Sequence, residues 1–306
     1  MTRALFMGTP AAAVPALSAL AGVADVVAVI TQPDSAKGRT GQKLGPPVKE
    51  AAGEWGMTVR QPDSAAALYE AVVATSFDIG VVVAYGRVLR PELLATSPFG
   101  FLNVHFSLLP RWRGAAPVER SIIAGDETTG ATVMHLDEGL DTGPVIAGRE
   151  VVIRSDDTGG SLTARLAHIG ADLLIDSLED YMAGRRVPAP QMSGLATLAP
   201  RLTTAEARLH AAVPVDRAER MIRGFNPRPG AWMVIGGERL KVFAAEASSA
   251  LVGPGALEFR EDRPIIGFQG GSLELLSVQP AGHKLMSGIA WGNGRRHAPG
   301  SMEAPS

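Results

Sequence analysis

A chain of 306 residues with 46% hydrophobic and 20% charged side chains has the length of two ordinary domains and enough apolar surface for two cores, which excludes disorder as the default. It has no cysteine, so disulfide frameworks, thiolate metal sites and cysteine nucleophiles are excluded, and a reducing cytoplasm is the expected setting. The formal net charge of -2 conceals a polarity: residues 1–199 carry 16 basic and 21 acidic side chains and residues 200–306 carry 13 and 10, the weak footprint of a chain whose C-terminal part alone meets phosphates.

The amino terminus passes from Met1-Thr2-Arg3 into an apolar run ended by Gly8 and Pro10, too short for a signal-peptide core or a membrane span, so no membrane association is expected. Residues 4–7, 26–30 and 79–84 are continuous apolar runs, the pattern of central strands hidden on both faces. Between them, residues 11–21 and 48–55 read as helices, the first with Thr9 as its cap and Pro10 at the first helical position. This alternation predicts a Rossmann-like, mostly parallel sheet over the first 185 residues. Val187-Pro188-Ala189-Pro190 ends a long helical pattern, residues 196–200 are weakly patterned, and helix propensity returns near Thr203. The expected division is therefore an α/β domain over 1–187, a linker over 188–205 and a second domain over 206–306. In the latter a helix is predicted at 216–224. Short strands at 231–235, 240–244, 265–268 and 273–278, separated by glycine turns, predict a small β-barrel.

Gly8-Thr9-Pro10 follows the first strand but carries only the first glycine of a dinucleotide fingerprint. It reads as a tight turn into a proline-started helix, an end that can still receive a small anion. The stretch from Phe101 to Pro117 is more informative. Side chains alternate along a strand, so Asn103 and His105 point to one face and converge on one point. A lone histidine near a strand end is ordinarily a hydrogen-bonded structural residue; an amide beside it weakens that reading. Two arginines, a tryptophan, a proline and a glycine then fill residues 107–114, chemistry suited to a binding loop. In Asp137-Glu138-Gly139-Leu140-Asp141-Thr142-Gly143, an aspartate in such a turn ordinarily serves its own backbone. The functional reading instead pairs Asp141 with His105, where a carboxylate favours the charged ring and passes protons.

Asn103-Val104-His105, then Ser107-Leu108-Leu109-Pro110 with Gly114 and Pro117, and Gly139-Leu140-Asp141-Thr142-Gly143 together resemble the signature of the folate-dependent formyltransferases, which transfer formyl from 10-formyltetrahydrofolate. The resemblance implies that Asn103, His105 and Asp141 are the catalytic trio and that Ser107, Leu108, Leu109 and Pro110 line the folate site. Asn103 and protonated His105 would then be donors to the developing oxyanion, each worth roughly 3 to 4 kcal/mol. Asp141 would relay the proton lost by the attacking amine through an ordered water. No metal and no covalent intermediate is required. One departure stands out: family members commonly have glycine after the histidine, and this chain has Phe106, expected to face away from Asn103 and His105 and pack behind the strand.

The acceptor is argued from other segments. The basic, glycine-rich loop from Thr31 through Lys37, Arg39 and Lys43 to Lys49 resembles the one that, in family members acting on initiator methionyl-tRNA, enters the acceptor stem, with Arg39 at the position of its key arginine. Mobile basic loops are ordinarily solvated connections; here Lys37, Arg39 and Lys43 become candidates for tRNA contact. The resemblance continues through Ala199-Pro200-Arg201-Leu202 and Ile222 to Trp232 and Ser277 to Lys284, which implies an OB-like, tRNA-binding barrel and a monomeric enzyme. A small amine as acceptor, or hydrolysis of the formyl donor, are the alternatives within formyl transfer. A nicotinamide oxidoreductase lacks its glycine fingerprint and leaves Asn103, His105 and Asp141 unexplained. A purely RNA-binding module would be inactive with every formyl donor.

Overall fold

Residues 1–36, 43–295 and 298–304 are described by the structure, a computed structural model. The chain forms two units: Met1–Pro117, Thr128–Val152 and Thr163–Ala199 make the first, and Val118–Glu127, Ile153–Leu162 and Pro200–Ser306 the second. Two short inserts of the N-terminal part therefore belong with the C-terminal unit, and residues 188–199 lie with the first.

The first unit is built on strands β1 (Arg3–Gly8), β2 (Asp25–Ile30), β3 (Val59–Arg60), β4 (Ile79–Val83), β5 (Phe101–His105), β6 (Thr128–His135) and β7 (Val145–Val152). Their order in the sheet is β7-β6-β5-β4-β1-β2-β3. The strands from β5 through β3 pair in parallel, while β6 and β7 join antiparallel. This is the expected Rossmann-like sheet, and its central strands are the apolar runs of the sequence: Leu5, Met7, Ala28, Ile30, Val82 and Phe101 are buried in one core with Leu68 and Val72. Helices α1 (Val14–Ala21), α2 (Pro47–Glu54), α3 (Ala65–Val73) and the long α4 (Gly159–Met182) accompany it. Phe106 is buried as expected; its ring lies near Gly170 of α4, beside Val104 and away from Asn103 and His105.

The first helix departs from its expectation. Residues Ala11–Ala13 form a single 3-10 turn preceded by Pro10, and the α-helix begins at Val14. Pro15 explains the delay, because its nitrogen has no hydrogen to give the Ala11 carbonyl and its ring crowds that position. Thr9 is not a cap: its hydroxyl donates to the Tyr85 carbonyl at 3.0 Å.

In the second unit, β8 (Ala231–Ile235), β9 (Glu238–Ser248), β10 (Ala256–Arg260), β11 (Arg263–Phe268) and β12 (Gly271–Pro280) form an antiparallel sheet in the order β8-β9-β12-β11-β10, extended by Gly300–Ser301. An antiparallel bridge between Ile235 and Met302 carries the sheet round towards its first strand, giving the expected barrel-like form. Helix α5 (Val215–Gly224) buries Ala218, Met221 and Ile222 in the core with Phe225, Val242 and Phe268. No helix forms at Thr203. Its hydroxyl accepts from the Glu206 amide at 3.2 Å and donates to the Glu206 carboxylate at 2.9 Å, as at a helix start. The chain then leaves the turn because Ala207 and Leu209 hydrogen-bond across to Trp232 of β8, at 2.9 and 2.7 Å. Edge pairing overrides the local signal.

Candidate active site

In an open α/β sheet the crevice for a ligand lies beyond the carboxyl ends of the strands, where the strand order reverses. Here that point falls between β1 and β4. The strand expected to run through Ala84 stops at Val83 because Ala84 turns to φ +47°. The segment that follows is tied across the crevice: Thr9 and Gln32 both donate to the Tyr85 carbonyl, at 3.0 and 3.1 Å, and Arg87 donates to the Gln32 side-chain oxygen at 3.0 Å. Tyr85 itself is buried, and burial holds its phenol above the ordinary range. Val88 is left largely exposed at this mouth. The sequence reading passed over these residues; Tyr85-Gly86 directly after a buried strand was the available signal of a loop at the ligand end.

Next to β4, strand β5 pairs Asn103 opposite Val82 and Met134. The Asn103 side chain is partly exposed and makes no hydrogen bond among the described residues. His105, two residues on and facing the same way, is 6% exposed. Its Nε2 lies 2.9 Å from the Trp112 carbonyl oxygen. A carbonyl only accepts, so Nε2 carries the hydrogen, and the proton of a charged ring is added at Nδ1. Nδ1 faces the Asp141 carboxylate at 3.8 Å, too long for a hydrogen bond but close enough for strong charge interaction.

Asp141 does not serve its own turn. Asp137 does, accepting from the Gly139 amide at 3.1 Å and the Thr142 hydroxyl at 2.7 Å. The carboxylate of Asp141 instead accepts the Gly114 amide at 2.8 Å, and the residue adopts a left-handed φ of +51°. The ordinary role of an aspartate in this turn is thus taken by Asp137, which leaves the Asp141 carboxylate turned toward Gly114 and His105.

The loop after β5 is shaped from within. Ser107 is fully buried and its hydroxyl donates to the Arg111 carbonyl at 2.6 Å. Its own carbonyl accepts from the Thr132 hydroxyl at 2.7 Å, and that threonine oxygen in turn receives the Leu109 amide at 3.2 Å. Leu108 packs on Gly130, while Leu109 and Pro110 remain partly exposed. Residues Arg113–Gly114 pair in parallel with Leu198–Ala199. Gly114 has φ +127°, and a Cβ there would stand 2.6 Å from the Ala199 carbonyl oxygen, so two separate constraints demand glycine. Lys37 and Arg39 lie outside the described residues. Lys43 is exposed, in a ribbon pairing Ser35–Ala36 with Lys43–Leu44. At its base Asp34 accepts from Lys49 and Gln61, both at 2.7 Å, and the Lys49 ammonium holds its carboxyl below the usual range. Among the described residues no group of three or more histidine or acidic side chains is arranged to hold a metal ion. No helix among them is long and apolar enough to cross a membrane.

A Rossmann-like unit with an amide, an imidazole and a carboxylate gathered at the carboxyl end of its sheet, followed by a barrel-like unit, defines a class. The chain belongs to the formyl transferase family: the formyl transferase model matches residues 7–178 and the formyl transferase C-terminal domain model residues 201–296. The methionyl-tRNA formyltransferase of Halorhodospira halophila (strain DSM 244 / SL1) is 44% identical to it over 311 residues, covering 97% of this chain and 98% of that protein. The methionyl-tRNA formyltransferase of Myxococcus xanthus (strain DK1622) is 42% identical, over 98% of this chain and 97% of its own. Among solved structures, the fold is shared with HypX from Aquifex aeolicus in complex with tetrahydrofolic acid (TM-score 0.66, 16% identity), where it covers 95% of this chain and 47% of that one, so this chain spans about half of HypX. It is shared also with an N-formyltransferase from Helicobacter canadensis in complex with folinic acid and dTDP-3-aminofucose (TM-score 0.70, 19% identity, 90% of this chain and 99% of that one).

Proposed function

We propose that this enzyme transfers the formyl group of 10-formyltetrahydrofolate to the free α-amino group of initiator methionyl-tRNA, in the cytoplasm and as a monomer, to support translation initiation. The observation that carries the reading is the pairing of His105 and Asp141 at 3.8 Å beside Asn103, in a chain 44% identical from end to end to a methionyl-tRNA formyltransferase.

Each residue has a task that its surroundings favour. 10-Formyltetrahydrofolate supplies the formyl carbon that the amine attacks. Asn103, whose amide has no other partner among the described residues, donates to the formyl oxygen as negative charge develops there. His105, held by the Trp112 carbonyl, adds a second donor at Nδ1 when protonated. Such preorganised donors are worth roughly 3 to 4 kcal/mol each. Asp141 stabilises the charged ring and takes up the proton lost by the amine, which is passed on to N10 of the folate as the formyl C–N10 bond breaks and tetrahydrofolate leaves. Ser107, Leu108, Leu109 and Pro110 flank the folate. The first unit, to which residues 188–199 belong, is the catalytic domain, and 206–306 form a barrel that meets the tRNA backbone. Lys37, Arg39 and Lys43 reach the acceptor stem. The test is formylation of methionyl-tRNA with 10-formyltetrahydrofolate, with uncharged tRNA as control. Transfer that needs the esterified methionine supports the reading; folate turnover onto water or a small amine alone refutes it.

A further inference from the structure

We infer that residues 188–199, read from sequence as a plain linker, are a positioning element of the active site, acting through Gln191 and Thr197. The inference rests on the formyl-transfer reading above and adds to it two residues that never touch substrate.

Thr197 acts on the histidine. Its hydroxyl oxygen accepts the Trp112 amide at 2.9 Å, and the carbonyl of that same Trp112 accepts from His105 Nε2 at 2.9 Å. Trp112 sits at φ +62°, a left-handed conformation that a bulky aromatic residue keeps only when its surroundings impose it. One bond from Thr197 therefore holds the amide side of the residue whose carbonyl, in the next peptide group, sets the tilt of the imidazole.

Gln191 acts on the aspartate. Its amide nitrogen donates to the Asp141 carbonyl at 2.9 Å and the Gly143 carbonyl at 2.7 Å; its oxygen accepts from Arg113 at 3.0 and 2.7 Å. Both hydrogens and both lone pairs of the amide are thus engaged. On one side it holds the left-handed Asp141, on the other the loop that leaves His105. Between the two anchors, Arg113 donates its amide to Thr197 at 2.8 Å and Ala116 to Ala199 at 3.1 Å. His105 ends β5 and Asp141 lies in the loop that follows the neighbouring strand β6, and the two side chains meet only across 3.8 Å. Beside the β5–β6 ladder and the Gly114 amide on the Asp141 carboxylate, this returning segment adds a second tie between the two loops.

A misplacement of about 1 Å costs on the order of 100-fold in rate, so the expected signature is a loss in kcat with binding spared. Thr197→Val keeps the shape and removes the acceptor; Thr197→Ser keeps the acceptor. Gln191→Glu still pairs with Arg113 but sets an acceptor against the Asp141 and Gly143 carbonyls. With methionyl-tRNA as acceptor, Thr197→Val and Gln191→Glu are expected to lower kcat by roughly 10- to 100-fold, with the donor's KM and the melting temperature near wild type and Thr197→Ser near full rate. Wild-type enzyme inactive on methionyl-tRNA overturns the functional reading and this inference with it. Active wild type, with both variants at its kcat, overturns this inference alone. So does a loss that follows the melting temperature or that Thr197→Ser fails to restore.

Discussion

Replacing Asp141 by asparagine removes one charge and little else. The amide oxygen of the new side chain still accepts the Gly114 N–H, and the Gln191 bond to the residue 141 carbonyl is untouched. What disappears is the attraction between carboxylate and imidazolium, together with the oxygen proposed to take up the proton lost by the amine. Two unit charges 3.8 Å apart interact by about 4 kcal/mol at the effective dielectric of about 20 that suits partly buried protein sites. The Asp141 side chain is 15% exposed, so solvent screens a part and about 3 kcal/mol is expected to remain. At about 1.4 kcal/mol per factor of ten, that is a fall in kcat of roughly 100- to 200-fold. The assay is single-turnover formylation of methionyl-tRNA at saturating donor, with thermal melting and folate binding as controls. A variant that melts as wild type, binds folate as wild type and reacts within about threefold of it would refute a charge-based role for Asp141.

Gly114→Ala forces a left-handed alanine against the Ala199 carbonyl and is expected to cost about 2 to 4 kcal/mol of stability, read as a lowered denaturation midpoint. Phe106→Ala empties a buried site against α4 and should cost about 3 kcal/mol, while the folded fraction keeps its turnover, because the ring faces away from the trio; a specific loss of kcat would show the ring acting in the cleft. Arg39→Ala is expected to raise KM for methionyl-tRNA and flatten its salt dependence with folate binding unchanged, measured by steady-state kinetics at two ionic strengths. Burial lowers the His135 ring below its ordinary 6.5. The unfolded chain therefore binds that proton first, and stability falls as pH drops from about 6.5 through the lower folded value. Denaturant titration of His135→Asn across that window should show a shallower loss than wild type.

The main sheet was legible because its central strands are continuous apolar runs, a signal carried within five or six residues. The barrel's longer strands were legible in position, although β9 and β12 extend beyond their apolar cores, where ladder pairing rather than burial sets the ends. Thr9 and Thr203 misled for the opposite reason: each carries a helix-start signal, and each was overruled by a contact from another part of the chain, the Tyr85 carbonyl for Thr9 and Trp232 across the barrel edge for Thr203. In the site, residue type and spacing picked out Asn103, His105 and Asp141. The Trp112 carbonyl and the Gly114 amide were invisible because backbone groups have no letter in a sequence, and the anchors Gln191 and Thr197 because their partners lie 48 to 85 residues away.

That His105 leans on a carbonyl and Asp141 on an amide has a consequence for how such a site drifts over evolutionary time. Side-chain replacement cannot delete a peptide group, and a peptide group does not titrate. In the proposed mechanism the two side chains are therefore free to change charge while the posts that hold them stay electrically constant. Inheritance of the site then depends less on the identity of residue 112 than on the path of the chain from 112 to 114, and the substitution to be feared is the one that bends that path.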